Sequence, residues 1–254
     1  MPRSQVVGTV CAGLAFVVAA SEAAAQNADR GASAEMSVEI AITQMTVDQD
    51  GQSVVPVMPP TVFTVARTGN PGEWRTVVTY RKHDGPATRA AAHPLDGARI
   101  EFDESSGATR VYDAAGEPNA LLSSESSGGP LGSGGPAQWL DGLILTPATH
   151  AQRRRALHDT YGQPVGRVRG LDRFLAHRDG VLHEVLADPA SALPVEVNTV
   201  QGGVLASNLV FDYARRPNDT WVRRSMRAEQ VVPGHPTHRS RLTVEFRNVT
   251  TGGR

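Results

Sequence analysis

The chain has 254 residues, a formal net charge of −1 and a single cysteine, Cys11. One thiol excludes an intrachain disulfide framework and a cysteine-based metal centre, and a charge so close to zero, with arginines alternating along apolar segments, argues against a nucleic-acid binder. Charge is unevenly distributed, with 14 acidic against 8 basic residues from 26 to 140 and 11 against 16 from 141 to 254. Lys82 stands alone beside 24 arginines, a bias expected of a GC-rich bacterial genome.

The first 25 residues read as a cleaved export signal. Arg3 gives a positive start, Val6 to Ala20 form a short apolar run, and Ala23-Ala24-Ala25 is a small-residue cleavage pattern. The run is too short for a membrane span, so the expectation is a periplasmic or secreted protein that does not span the membrane. Gly8-Thr9-Val10 before Cys11 lacks a lipobox. Residues 26–34 are small and polar and read as a flexible tether, followed by a single β-rich domain over 35–250.

Within that domain, Met36, Val38, Ile40 and Ile42 alternate with polar or small residues, the period of a half-buried strand. Further strands are expected over 61–67 and 74–81, and over 98–103 and 109–113 about a Glu104-Ser105-Ser106-Gly107 turn. Residues 123–136 are Ser, Gly and Pro rich, with too little apolar surface to offset ordering, and read as a mobile loop. Trp139, Leu140, Leu143 and Ile144 share one face of a short helix. Thr146-Pro147 and Gly162 bracket a second over 147–161. Its Arg153-Arg154-Arg155 run gives either a solvated helix surface or one that faces anions.

From Val165 onward the pattern is strand after strand, over 181–186, 195–200, 204–213, 220–232 and 240–249. Asp188-Pro189, Gly202-Gly203 and Pro233-Gly234 serve as turns. The fold class expected is therefore mainly β: a curved antiparallel sheet or unclosed barrel with one or two short covering helices. In these last strands Leu205, Leu209, Phe211 and Tyr213 share one face, as do Leu242, Val244 and Phe246, opposite Arg241, Thr243, Glu245 and Arg247. A sheet with one dry face needs a cover. A complete cover makes these seven residues core, and a partial one makes them the lining of an apolar cavity.

Three segments carry a resemblance: Arg169-Gly170-Leu171-Asp172-Arg173, His183 to Pro189, and Ala192-Leu193-Pro194-Val195-Glu196. With Phe211-Asp212-Tyr213 and the final Phe246-Arg247-Asn248-Val249, they resemble the C-terminal part of the periplasmic lipoprotein-carrier superfamily, which includes LolA, LolB and RseB-like proteins. The resemblance implies an unclosed barrel around helices, with acyl chains held on its apolar concave face.

Enzymatic signatures are weak. Gly132-Ser133-Gly134 lacks the strand that a serine nucleophile elbow requires. His235 and His238 have no third ligand nearby in sequence, and His150 and His158 have no acidic partner, so no metal site is expected. Asp103 with Glu104, or Glu184 with Asp188, are carboxylate pairs of a kind that any exported β-protein offers. No catalytic residues and no cofactor are expected. The function expected is a carrier or binding protein whose partner is an apolar ligand or lipoprotein acyl chain, with an envelope protein as a further partner. The alternatives are a secreted hydrolase acting on cell-wall or carbohydrate material, and a non-catalytic structural module.

Overall fold

The computed structural model describes residues 35–48, 52–70, 73–82, 95–124, 144–145, 149–216, 221–232 and 235–252. The leader, the tether and residues 125–136 of the expected loop lie outside them. The described residues fall into two compact units. One takes those of Asp29–Leu140, Ser207–Asp212 and Arg224–Arg254, the other those of Asp141–Ala206 and Tyr213–Arg223.

The first unit contains β1 (Glu35–Val47), β2 (Ser53–Thr68), β3 (Arg75–Tyr80), β4 (Arg99–Asp103), β5 (Thr109–Tyr112) and β13 (His235–Gly252), with the central part of β11 (Val204–Arg215) and most of β12 (Trp221–Val232). The second contains β6 (Ile144–Leu145), α1 (His150–Tyr161), β7 (Gly166–Val168), β8 (Leu171–Arg178), β9 (Val181–Ala187) and β10 (Pro194–Gln201), with the ends of β11 and the start of β12. Hydrogen bonding runs β5-β4-β3-β2-β1-β13-β12-β11-β10-β9-β8-β7, with β6 beside β12. This path ends in β5 and β7 and does not return on itself, so the sheet is unclosed.

In the first unit the central event is the pairing of β1 with β13, Ile42 opposite Val244 and Ile40 opposite Phe246. The register slips by one residue between Ser37 and Glu39, opposite Arg247 to Thr250. Asn248 sits there at φ 52°, and asparagine is one of the few residues that tolerate this left-handed backbone. β2 begins at Ser53, well before the expected start at residue 61. Its first half holds Pro56, Pro59 and Pro60. Register shifts accommodate them, since Ile42 opposes Thr61 and Gln44 opposes Met58, leaving Pro59 and Pro60 bulged where no N–H can be donated. β13 likewise begins at His235, ahead of residue 240, and the register jumps from Val231↔Arg239 to Val232↔His235. The free edge of β5 is occupied by the chain's own return. Thr109 and Ser124 exchange backbone bonds at 2.6 and 2.7 Å, and Asn119 N–H reaches Val111 at 2.8 Å. Ser123 Oγ accepts from Val111 N–H at 3.0 Å.

The second unit is a local meander. Arg169-Gly170 joins β7 to β8 and Asp179-Gly180 joins β8 to β9, with φ of 52° and 80° in the first turn and 52° and 76° in the second. Two successive positive φ angles define the turn whose twist matches the flanking strands, which is why glycine takes the second position. Gly202-Gly203, at 58° and 77°, separates β10 from β11 in the same way. The helix starts later than the sequence suggested. Its N-cap is Thr149, which accepts from Gln152 N–H while the Gln152 side chain accepts from Thr149 N–H, a reciprocal capping box. Thr146-Pro147 lies outside the described residues, whereas Gly162 ends the helix as expected, its N–H bonding the His158 carbonyl. Ile144 stands in β6, opposite Val222, and not on a helix face. Trp139, Leu140 and Leu143 lie outside the described residues.

Candidate functional site: the apolar face of the sheet

Residues directly opposite across paired strands point to the same face, so the register places the apolar side chains without further assumption. In the first unit Val111, Ile100, Val78, Val65 and Val38 stand side by side through β5, β4, β3, β2 and β1. A neighbouring row is Tyr80, Phe63, Ile40 and Phe246, with the Phe63 and Tyr80 rings 5.0 Å apart. A third joins Ile42, Val244 and Met226. Burial pushes the Tyr80 phenol above its ordinary value, as expected within such a face.

The seven residues singled out in the sequence separate into two groups. Leu242, Val244 and Phe246 lie on this face by register, Leu242 opposite Gln44 and Ala228. Leu209 and Phe211 belong to the same unit and are buried. Leu205 and Tyr213 belong to the other unit. There the Tyr213 hydroxyl donates to the Pro194 carbonyl at 3.1 Å. Burial pushes this phenol up against the opposing effect of the Arg223 guanidinium. Arg223 is itself buried, which its place in an arginine-rich strand did not signal.

The opposite face is polar. Glu101 binds Arg75 at 2.7 Å and Arg99 at 3.1 Å, and Glu39 binds Arg81 at 2.6 Å. Glu229 binds Arg241 at 2.7 Å. Arg67 is an exception: its register with Met36 and Thr76 puts it at the margin of the apolar face, where it stacks over Trp74 at 4.8 Å and reaches Glu104 at 3.4 Å.

In the second unit Phe174, Val185 and Val197 form a buried row across β8, β9 and β10. Leu157 of α1 is buried, and the His158 ring lies 5.9 Å from Phe174. The start of the helix is held by the β9–β10 turn, where His150 Nε2 meets the Pro189 carbonyl at 2.9 Å and Arg153 Nε donates to the Ser191 carbonyl at 2.6 Å.

Asp103, Glu184 and Asp188 have structural duties. Asp103 accepts from Ser105 Oγ at 2.6 Å and from the Ser105 and Ser106 N–H groups, which hold it below the ordinary carboxyl range. Burial pushes Glu184 up, but hydrogen bonds from Asn198 at 2.9 Å and Arg173 at 2.6 Å outweigh it and hold the group low. Burial also pushes Asp188 up. Its bonds from Ser191 Oγ at 2.6 Å and from the Ala190 and Ser191 N–H groups, with His150 nearby, again prevail. A general acid needs the opposite shift. The His235 and His238 rings stand 5.9 Å apart, and no set of three or more metal-ligating side chains gathers among the described residues. Among those residues no helix is long and apolar enough to cross a membrane.

No protein-family model matches the chain, and no curated protein does. Solved structures do align with it. One is a LolA superfamily protein from Nitrosomonas europaea, with 13% identity over 92% of this chain and 93% of that one, at a TM-score of 0.38. Another is the Pseudomonas aeruginosa MucA/MucB complex, with 12% identity over 91% and 94% of the two chains, at a TM-score of 0.24. A third is a structure of lipid–protein interactions in lipovitellin, with 9% identity over 89% of this chain and 26% of that one, at a TM-score of 0.26. At such scores, function has to be argued from the chain's own residues.

Proposed function

We propose that this chain is an exported carrier that holds an apolar ligand, an acyl chain or the acylated part of a lipoprotein, against the apolar face of its unclosed sheet. The observation that supports the reading is the register: β5 to β1 and β13 align aliphatic and aromatic side chains into contiguous rows on one face, while the other face carries ion pairs. Of the seven residues singled out in the sequence, the lining in the first unit would be Leu209, Phe211, Leu242, Val244 and Phe246. Each buried methylene contributes about 0.8 kcal/mol, so one long chain gives useful affinity. Loading requires this buried face to open, because Val244 is 0% and Phe246 8% exposed.

That burial also favours a second reading, a structural module in which the face is ordinary core. A fluorescent fatty acid, together with mass spectrometry of the native exported protein, separates the two. The carrier reading expects a co-purified lipid, saturable probe binding, and at least a roughly tenfold loss of affinity in Phe246→Ala. A wild type that binds no probe, with Phe246→Ala costing about 3–5 kcal/mol of stability, leaves the structural module.

A further inference from the structure

Several arginines on or beside the strands are matched by carboxylates: Arg75 and Arg99 by Glu101, Arg81 by Glu39, Arg173 by Glu184. Two neighbouring arginines on the helix are not. Arg154 and Arg155 lie on its exposed face with Ala151, Gln152 and Asp159, and among the described residues neither forms an ion pair. A third exposed guanidinium stands at the far end of the same helix, where Arg178 Nη2 donates to the Thr160 carbonyl at 2.6 Å. Asp159 is the only acid in α1.

We propose that this cationic face of α1 docks the protein onto an anionic membrane surface through phosphate headgroups. The face is suited to a surface contact and not to insertion, because Leu157 is turned inward and the only apolar residue on the exposed side is Ala151. No aromatic side chain is exposed on the helix to stack on bases, which disfavours a nucleic acid. The contact is therefore electrostatic, reversible and sensitive to salt. It does not depend on whether the sheet carries a ligand.

The test is co-sedimentation of the exported protein with phosphatidylcholine vesicles, with and without phosphatidylglycerol, at about 0.05 M and about 0.5 M salt. Binding is expected only with phosphatidylglycerol and only at low salt. Arg154→Gln/Arg155→Gln is expected to weaken it about 30-fold, from two charges at about 1 kcal/mol each. Arg75→Gln/Arg110→Gln removes the same net charge from exposed strand positions and is expected to leave binding within about twofold. Absence of phosphatidylglycerol-dependent binding, binding that survives high salt, or equal losses in the two double variants would overturn the proposal. Fatty-acid probe binding measured on the same samples keeps the outcomes separate, since its failure alone removes the carrier reading and leaves the docking face standing.

Discussion

The two units build their buried rows by different routes. In the unit built on β1 to β5 and β13, the decisive contacts join opposite ends of the chain, with Ser37 opposite Thr250 and Ile40 opposite Phe246. In the unit built on α1 and β7 to β10, each strand meets its neighbour in sequence through a short turn, and the helix is fastened to the β9–β10 turn. Local hairpins carry their instructions in the turn residues. A pairing across some two hundred positions has no local signature, and it is specified only by the alternation that both strands must satisfy.

Truncation of Phe174 tests the local unit most severely. The ring is buried between Val185 and the helix, so Phe174→Ala is expected to cost about 3–5 kcal/mol in urea denaturation and to release α1 to protease. Amide exchange in β1 and β13 should be little changed at low denaturant. Equal acceleration there would show that the units open together, and the comparison would fail.

Next in size is Asp188→Ala, which leaves the Ser191 hydroxyl and two N–H groups without their acceptor, a loss of about 1–3 kcal/mol. The pH dependence follows from the same bonds. Asp188 and Glu184 are held below their ordinary values in the folded chain, so the stability they contribute is complete above about pH 4.5 and is lost as pH falls through the lower folded values. An acid titration of the urea midpoint should be flatter in Asp188→Ala than in the wild type.

For the distant pairing the corresponding probe is Asn248. Asn248→Val forces a β-branched residue into left-handed backbone and should cost about 1–2 kcal/mol, while Asn248→Gly should be neutral or slightly stabilising. If valine were tolerated as well as glycine, the bulge would not be setting the β1–β13 register. The smallest effect expected is that of Thr149→Ala, about 1 kcal/mol, seen as fraying at the start of α1 by amide exchange.

Legibility in the sequence follows the same division. Strands at 98–103, 109–113, 181–186 and 204–213 could be read from alternation and turn residues, as could the end of the helix at Gly162. The beginning of that helix was misplaced because Thr146-Pro147 is a strong start signal. The reciprocal Thr149 and Gln152 pair was visible three residues later and won. The first half of β2 was hidden by Pro56, Pro59 and Pro60, which a strand accepts only when its partner absorbs them as bulges. Of the seven candidate lining residues, Leu242, Val244 and Phe246 could be assigned a common face from period two alone. Their neighbours Ile40, Ile42 and Met226 required knowledge of which strand lies beside which.

The meeting of β1 with β13 also sets an order of events. Synthesis from the N-terminus presents Glu35–Val47 early and His235–Gly252 last. Until the last strand arrives, β1 can pair with β2 but keeps a bare edge and a half-covered row of isoleucines. The β7 to β10 meander needs no such delay. Folding is therefore expected to finish where the chain began, and the interval before that closure is when unpaired β1 is most open to a wrong strand or a holding chaperone.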